Sequence, residues 1–379
     1  MNQQADIAPF PKLVFGSRRS KLALWQTHHV IEKLVQAVPG LTCEIVEMDT
    51  AGDKNIDQPL PEIGGKGLFT AELDRALQRR RIDIAVHSLK DLPTEFEPGI
   101  EIMPVTRRED PRDVLISGSG ALFSQLEPGS VVGTSSPRRG SQLLALRGDL
   151  EICSIRGNVP TRIAKVHRGD YDAVVLAAAG VTRVGLQNQI VQWFEVDALM
   201  PAPGQGSIAA TFRSDDTQIK SLLASITDTE TNRCVTAERH LLNFLGGGCS
   251  APIAALAKLT DSNQIRLTGR IVMMDGSQSV TKSITGDDPL EIAQKLADEI
   301  LLDGGTQILQ SIRRPLTRRR IVVTRAAEQS GAMSSLLEEL GAEVIEIPLI
   351  RFARLATFEN SRQILEHIDR FDWIIFTSA

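Results

Sequence analysis

Cys249 follows Gly246-Gly247-Gly248, and its sulfur is the atom of this sequence best suited to covalent chemistry. Glycine frees the backbone at no steric cost, so such a run lets a thiol be carried toward a reaction centre. Two readings fit it: a packed structural thiol, the commonest fate of a cysteine, or a sulfur that tethers a group. Arginine recurs after one short apolar run after another: Gly16-Ser17-Arg18-Arg19-Ser20, Gly133-Thr134-Ser135-Ser136-Pro137-Arg138-Arg139, Arg156-Gly157-Asn158 with Arg162, and Arg183 behind Ala177–Gly180. Hydroxyls, free amide N–H groups and a helix dipole favour an anion, and guanidinium adds a planar match to carboxylate or phosphate. One such arginine is ordinarily a solvated surface charge. The repetition favours an anion site, with phosphate and carboxylate both open. Ala85-Val86-His87-Ser88-Leu89-Lys90-Asp91 ends an apolar run in polar side chains. There Asp91 is either a turn cap paired with Lys90 or a carboxylate for a cationic N–H. His87 has no Ser or Cys partner nearby in sequence, so no triad is argued. The P-loop pattern fails, with Leu60 at its first glycine position and Gly67 after Lys66. Lys66 itself stands beside a helix start, where it can meet an anion.

These residues need elements to hold them. Lys12–Phe15 reads as a strand, and Ser20 as the cap of a helix running to Pro39-Gly40. Strand Cys43–Met48, helix Gly67–Arg80 and strand Ile82–His87 complete a β-α-β-α-β order, which predicts a parallel doubly wound sheet. After Asp110-Pro111, strands at Val114–Ser117, Val131–Gly133, Glu151–Ser154 and Asp172–Leu176 repeat the scheme, with helices at Pro137–Leu146, Val159–Val166 and Ala178–Gly185. Tandem α/β units leave a cleft, and ligands gather beyond the carboxyl ends of strands, where the polar clusters fall. Met48–Gly67 is long, polar and aperiodic, a lid or a disordered loop. Met200–Gly206 is a rigid crossover to the first unit or a plain loop. Helix Thr227–Leu245, strands Ile253–Lys258, Gln264–Met273 and Ser279–Thr285, and helix Pro289–Leu302 predict an α+β region. A basic stretch around Pro315 reads as a linker. Beyond it, strands Ile321–Thr324, Glu343–Pro348 and Trp373–Phe376 with helices Ala326–Leu340 and Asn360–Ile368 read as a truncated α/β unit with an open edge.

A chain of 379 residues exceeds one typical core, which predicts two or three domains. With 23% charged and 42% hydrophobic residues it has the composition of a soluble globular protein. A net charge of −5 supplies no global basic field, so no nucleic acid and no membrane partner is expected, and any anion site is local. Cys43, Cys153, Cys234 and Cys249 are scattered without a CxxC pair. Neither a disulfide nor a metal site is expected, and the reducing cytoplasm fits. No secretory pattern opens the chain, and no run approaches the roughly 20 apolar residues of a spanning helix.

From about Lys12 to Arg314 the chain resembles the porphobilinogen deaminase (hydroxymethylbilane synthase) family. GSRRSKLALWQT, GGKGLF, DIAVHSLKD, REDPRD, GTSSPRR, IRGNVPTR, LAAAG, APGQG, VTAER and GGGCSAP come in family order and spacing. The resemblance implies two α/β lobes similar to periplasmic binding proteins, residues 1–108 with 204–226 and residues 109–203. A third, α+β domain would cover 227–314, followed by a linker at 315–319. It implies a dipyrromethane cofactor on Cys249 through a thioether, bound by Lys90, Ser136, Arg138, Arg139 and Arg162. Arg18, Ser20, Gln26, Lys66, Thr134, Ser135, Arg156 and Arg183 would bind the substrate, porphobilinogen. Asp91 would be catalytic, stabilising positive charge on a pyrrole nitrogen. Four condensations with loss of ammonia, then hydrolysis, would release hydroxymethylbilane, and the two carboxylates of each pyrrole would account for the arginines. Pro137 and Pro160 depart from the family pattern; both stand at helix starts, where proline is tolerated, which leaves the backbone around Arg162 to be checked. Residues 320–379 are similar, more weakly, to the start of uroporphyrinogen-III synthase through IVVTRA, LGAEVIEIPLI and DWIIFTSA. That implies a piece of a bifunctional fusion, with handover of product to that enzyme; a cytoplasmic monomer is expected. The rivals are a non-catalytic two-lobed receptor for a small dianion and a thiol hydrolase that lacks an evident base.

Overall fold

Alternating apolar side chains build the first sheet. Its strand order is β2 (Cys43–Met48), β1 (Leu13–Arg18), β3 (Ile84–Ser88), β10 (Ile208–Arg213), β4 (Ile100–Val105). Leu13, Phe15, Ile84 and Val86 pack on one face against Val30 and Leu34 of helix α1 (Lys21–Ala37). Val14 and Ala85 point the other way, toward Leu73 and Leu77 of α2 (Ala71–Gln78). Successive residues of a strand face opposite sides, so a sheet covered on both faces needs apolar residues throughout. The second sheet follows the same rule in the order β7 (Glu151–Cys153), β6 (Val131–Gly133), β8 (Ala173–Ala177), β5 (Asp113–Ser117), β9 (Gln192–Trp193). Leu115, Val132 and Val175 face one core cluster, and Val114, Ile116 and Val174 the other. Helices α3 (Pro137–Leu146), α4 (Val159–His167) and α5 (Ala178–Arg183) begin beyond its strand ends.

The computed structural model describes residues 12–50, 70–94, 96–246, 251–313, 316, 319–340, 342–349, 366–367 and 370. Two compact units divide the chain, Met1–Ile312 and Arg313–Ala379. Within the first, neither large sheet is all-parallel, which corrects the expectation from the β-α-β order. β1 is parallel to β2 and β3, and β6 to β7 and β8, but β10 runs antiparallel between β3 and β4, and β5 antiparallel between β8 and β9. The chain thus re-enters the first sheet late, and reversed. Sequence patterning passes over β4 because Pro104 interrupts it; Pro is tolerated there because β4 is an edge strand. After α6 (Thr217–Ala224), α7 (Thr229–Phe244) leads to an antiparallel sheet of β11 (Ile253–Leu259), β12 (Ile265–Val272) and β13 (Ser279–Gly286). It packs on α7 and α8 (Pro289–Ile300) so closely that a Cβ on Gly269 would lie 2.7 Å from Leu241. Helix α9 (Thr306–Arg313) follows. In the second unit β14 (Arg320–Val323) and β15 (Glu343–Glu346) pair in parallel around α10 (Ala327–Glu339). The expected strand Trp373–Phe376 lies outside the described residues, as does most of the expected helix Asn360–Ile368.

Candidate active site

The polar clusters sit beyond the carboxyl ends of β1, β3, β6, β7 and β8. Short polar residues hold each turn. Ser20 accepts the amide of Ala23 and caps α1, Ser136 caps α3 through Arg139 N, and Asn158 caps α4 through Thr161 N. Pro137 and Pro160 stand in the first turns of α3 and α4, where no N–H is missed. The backbone beside Arg162 is intact: Gly157 takes φ +109°, and its carbonyl accepts Arg162 Nε at 2.7 Å. Ser135 Oγ donates to Ile155 O at 2.7 Å, and Thr134 Oγ1 accepts from Ser136 N at 3.2 Å. Both hydroxyls therefore shape their turn.

Lys90 and Asp91 lie on a single 3-10 turn, Leu89–Asp91, at the end of β3. Among the described residues the Asp91 side chain makes no hydrogen bond or ion pair and is exposed. Among the described residues there is thus neither a turn cap from Asp91 nor a close ion pair with Lys90. Burial, then the charge of Arg139, push Lys90 down to about 8, with Asp91 and Asp113 opposing. Burial, Arg139 and Arg156 press Arg162 down to about 10, again against Asp91. Lys90, Arg139, Arg156 and Arg162 thus crowd one region, with Asp91 the carboxylate open to solvent beside them. Such crowding of like charge stabilises an anion that arrives with its own carboxylates.

Sequence reasoning missed the acid that makes this possible. Asp113, fully buried at the start of β5, accepts Arg138 Nη1 at 2.6 Å and Arg139 Nε and Nη2 at 3.0 and 2.7 Å. Burial alone would raise its carboxyl, but both guanidiniums outweigh it and hold the group well below the usual carboxylate range. Its signal was present in REDPRD, yet nothing local told it apart from Asp110, which pairs with Arg112. The crossover was legible only as an alternative. Gly204 and Gly206 take φ +73° and +91°, and a Cβ on Gly206 would meet Glu109 O at 2.4 Å, so Met200–Gly206 is a packed crossover.

Arg183, 8% exposed, donates to Gly206 O at 2.7 Å and stands 5.5 Å from the Trp25 ring centre. Gln26 is buried against Ser88, Nε2 to Oγ 3.0 Å. Arg18, half-buried at the end of β1, lies close enough to bear on His87. Burial first, then Arg18, push the His87 imidazole down to about 3, and its Nε2 meets Thr211 Oγ1 at 3.1 Å. So weak a base is no proton acceptor for a hydrolase near neutrality. An unfolded histidine titrates near 6.5. Between that pH and about 3 the unfolded chain binds a proton that the folded chain refuses, so stability falls as pH falls. The thermal midpoint of His87→Gln is expected to drop less than that of the unmodified protein between pH 6.5 and pH 4.5; parallel curves would exclude this origin.

Glu238, in VTAER, was also missed. It accepts Arg108 Nη1 and Nη2 at 2.6 and 3.2 Å and the amides of Gly204 and Ala257 at 2.7 Å each. Its neighbour Arg239 donates to Pro93 O at 2.6 Å, tying α7 to the chain just past Asp91. Cys249, Gly247, Gly248 and residues 51–67 of the Met48–Gly67 stretch, Lys66 among them, lie outside the described residues.

A family model described as porphobilinogen deaminase, dipyromethane cofactor binding domain, matches residues 13–221, and one for the porphobilinogen deaminase C-terminal domain matches residues 232–302. A uroporphyrinogen-III synthase HemD model matches residues 331–379. A porphobilinogen deaminase of Halalkalibacterium halodurans is 42% identical over 306 residues, 80% of this chain and 98% of the relative. One of Brevibacillus brevis is 44% identical over 299 residues, 79% of this chain and 97% of the relative. One of Staphylococcus carnosus is 43% identical over 302 residues, covering 79% and 98%.

Proposed function

Because this chain belongs to the porphobilinogen deaminase family, we propose that Asp91 is its catalytic carboxylate and that the cations around it neutralise the acid arms of the pyrroles. The chain is a transferase, a hydroxymethylbilane synthase acting on porphobilinogen in tetrapyrrole biosynthesis, and it carries the family's dipyrromethane-binding domain. One observation supports the residue assignment: an exposed carboxylate that makes no hydrogen bond or close ion pair among the described residues, yet bears on the charges of Lys90 and Arg162 in the cluster with Arg139 and Arg156. The donor set suits a group rich in carboxylates, and Arg138 Nε is a buried donor still without an acceptor.

When bound, the cofactor supplies a free pyrrole carbon as nucleophile. Cys249 is the thioether anchor. Lys90, Ser136, Arg138, Arg139 and Arg162 hold its carboxylates, while Arg18, Ser20, Gln26, Lys66, Thr134, Ser135, Arg156 and Arg183 serve the incoming substrate. Ser20 and Ser136 accept from their helix amides, and among the described residues neither O–H has an acceptor, so each can donate to a carboxylate. Asp91 accepts the pyrrole N–H and holds a fixed negative charge where positive charge develops as ammonia leaves. The two mixed sheets serve as lobes similar to periplasmic binding proteins, residues 1–108 with 204–226 and 109–203, and residues 227–314 present the cofactor. Residues 315–319 link these to the synthase-like segment 320–379, and the working form is a cytoplasmic monomer that hands product to uroporphyrinogen-III synthase. No helix among the described residues is long and apolar enough to cross a membrane.

The intact mass of the full chain tests the anchor. Protein expressed with porphobilinogen available is expected to carry two linked pyrrole units on Cys249, and Cys249→Ala to carry none. An unmodified thiol in active-site peptides of the parent protein would favour the receptor instead.

A further inference from the structure

We propose that Gln205 is a positioning residue that ties Lys90 to the Arg138–Arg139 pair, so that the cofactor's acid arms meet a preassembled set of cations. This rests on the reading of the cleft given above. Gln205 is fully buried in the crossover between Gly204 and Gly206, and all its polar groups are used. Oε1 accepts Lys90 Nζ at 3.2 Å; Nε2 donates to Pro111 O at 2.7 Å and to Asp113 Oδ1 at 2.9 Å. Its carbonyl accepts Arg108 Nε at 2.8 Å, and its amide donates to Ala202 O at 2.9 Å. A continuous polar chain therefore runs from the turn after β3, through the crossover, to the first residue of β5 and on to the start of α3.

The glutamine amide meets both ends. An ammonium on one side requires an acceptor, and a carboxylate on the other requires a donor; the amide supplies each, and its reversed orientation would oppose both. A glutamate there would face Asp113, a lysine would face Lys90, and a methionine would break the chain. Lys90 is also faced by Arg139, Asp91, Asp113 and Arg138, two charges of each sign. The acceptor from Gln205 is a neutral contact that favours the charged form of Lys90 against its burial, and it fixes where that charge stands.

Full-length Gln205→Met and Gln205→Glu proteins test this in two ways. The first readout is intact mass through a time course of cofactor loading. The second is the pH midpoint of Lys90 acylation by a small reagent, followed by peptide mass and independent of catalysis. Gln205→Met is expected to load about tenfold more slowly, with the Lys90 midpoint about one unit lower, the worth of one charge-assisted hydrogen bond. Gln205→Glu is expected to raise that midpoint by about one unit, since a carboxylate replaces a neutral acceptor. Unchanged loading in Gln205→Met, or a Lys90 midpoint that moves in neither variant, overturns the proposal. Should Gln205→Met fail to fold, the direction of the Gln205→Glu midpoint decides. A parent protein that never acquires pyrrole units would sink the cofactor reading of the cleft, while the acylation midpoints would still decide the role of Gln205.

Discussion

Asp91→Asn is expected to lower kcat with porphobilinogen by about 10²–10³-fold, the usual cost of losing one group that stabilises transition-state charge. KM is expected to stay within a few-fold, because on the proposed assignment the substrate's acid arms would engage arginines and lysines rather than a carboxylate. Folding should be spared as well. Asp91 is exposed and its side chain makes no hydrogen bond or ion pair among the described residues, so the thermal midpoint should move by no more than about 2 °C. Asp91→Glu separates charge from position: it keeps the anion but carries it farther from β3, and an intermediate rate is expected. The asparagine change also removes one charge that favours the protonated forms of Lys90 and Arg162, so the basic limb of its residual activity should move to lower pH. Porphobilinogen consumption decides the matter; Asp91→Asn turning over within tenfold of the parent protein would remove this carboxylate from the chemistry.

The elements around Asp91 were legible wherever a local signal was strong. Ser20, Ser136 and Asn158 each mark a helix start, and α1, α3 and α4 begin there. Strands β2 and β6 have the limits their apolar runs suggest. What was illegible is long-range. β10 joins the first sheet some 120 residues after β3, with His87 opposite Ala209, and its run of small residues has no period that says where it pairs. The same holds for the site. Arg138 and Arg139 could be read as anion-binding side chains from GTSSPRR, but their buried partner Asp113 stands 25 and 26 residues away, among other acids. Gln205 could be placed in a crossover motif; that it bridges Lys90 and Asp113 depends on three segments meeting. Local motifs mark candidate anion-binding residues in the sequence, whereas the buried partners that hold them appear only when the chain is folded.

Glu238 is where that distinction has its largest consequence for stability. Its side chain is wholly buried, and that of Arg108 is 11% exposed. One carboxylate serves a bidentate guanidinium, the crossover amide at Gly204 and the β11 amide at Ala257. Glu238→Ala leaves a nearly buried cation without its counter-charge and two amides without acceptors. Breaking a buried pair from one side costs about 3–5 kcal/mol, so a fall of the order of 10 °C in thermal midpoint is expected. Glu238→Gln retains an oxygen for one or both amides and should fall between. The double variant Arg108→Met, Glu238→Leu removes both charges and should recover part of the loss, but each orphaned amide still costs about 1–3 kcal/mol. The expected order of midpoints is therefore the parent protein, then Glu238→Gln and the double variant, with Glu238→Ala lowest. Because Gly204 adjoins Gln205, Glu238→Ala should also slow cofactor loading at temperatures well below its midpoint. An alanine variant that melts within about 2 °C of the parent protein would mean that water or a shifted neighbour replaces Glu238 at little cost, and that the crossover is held chiefly by its glycines.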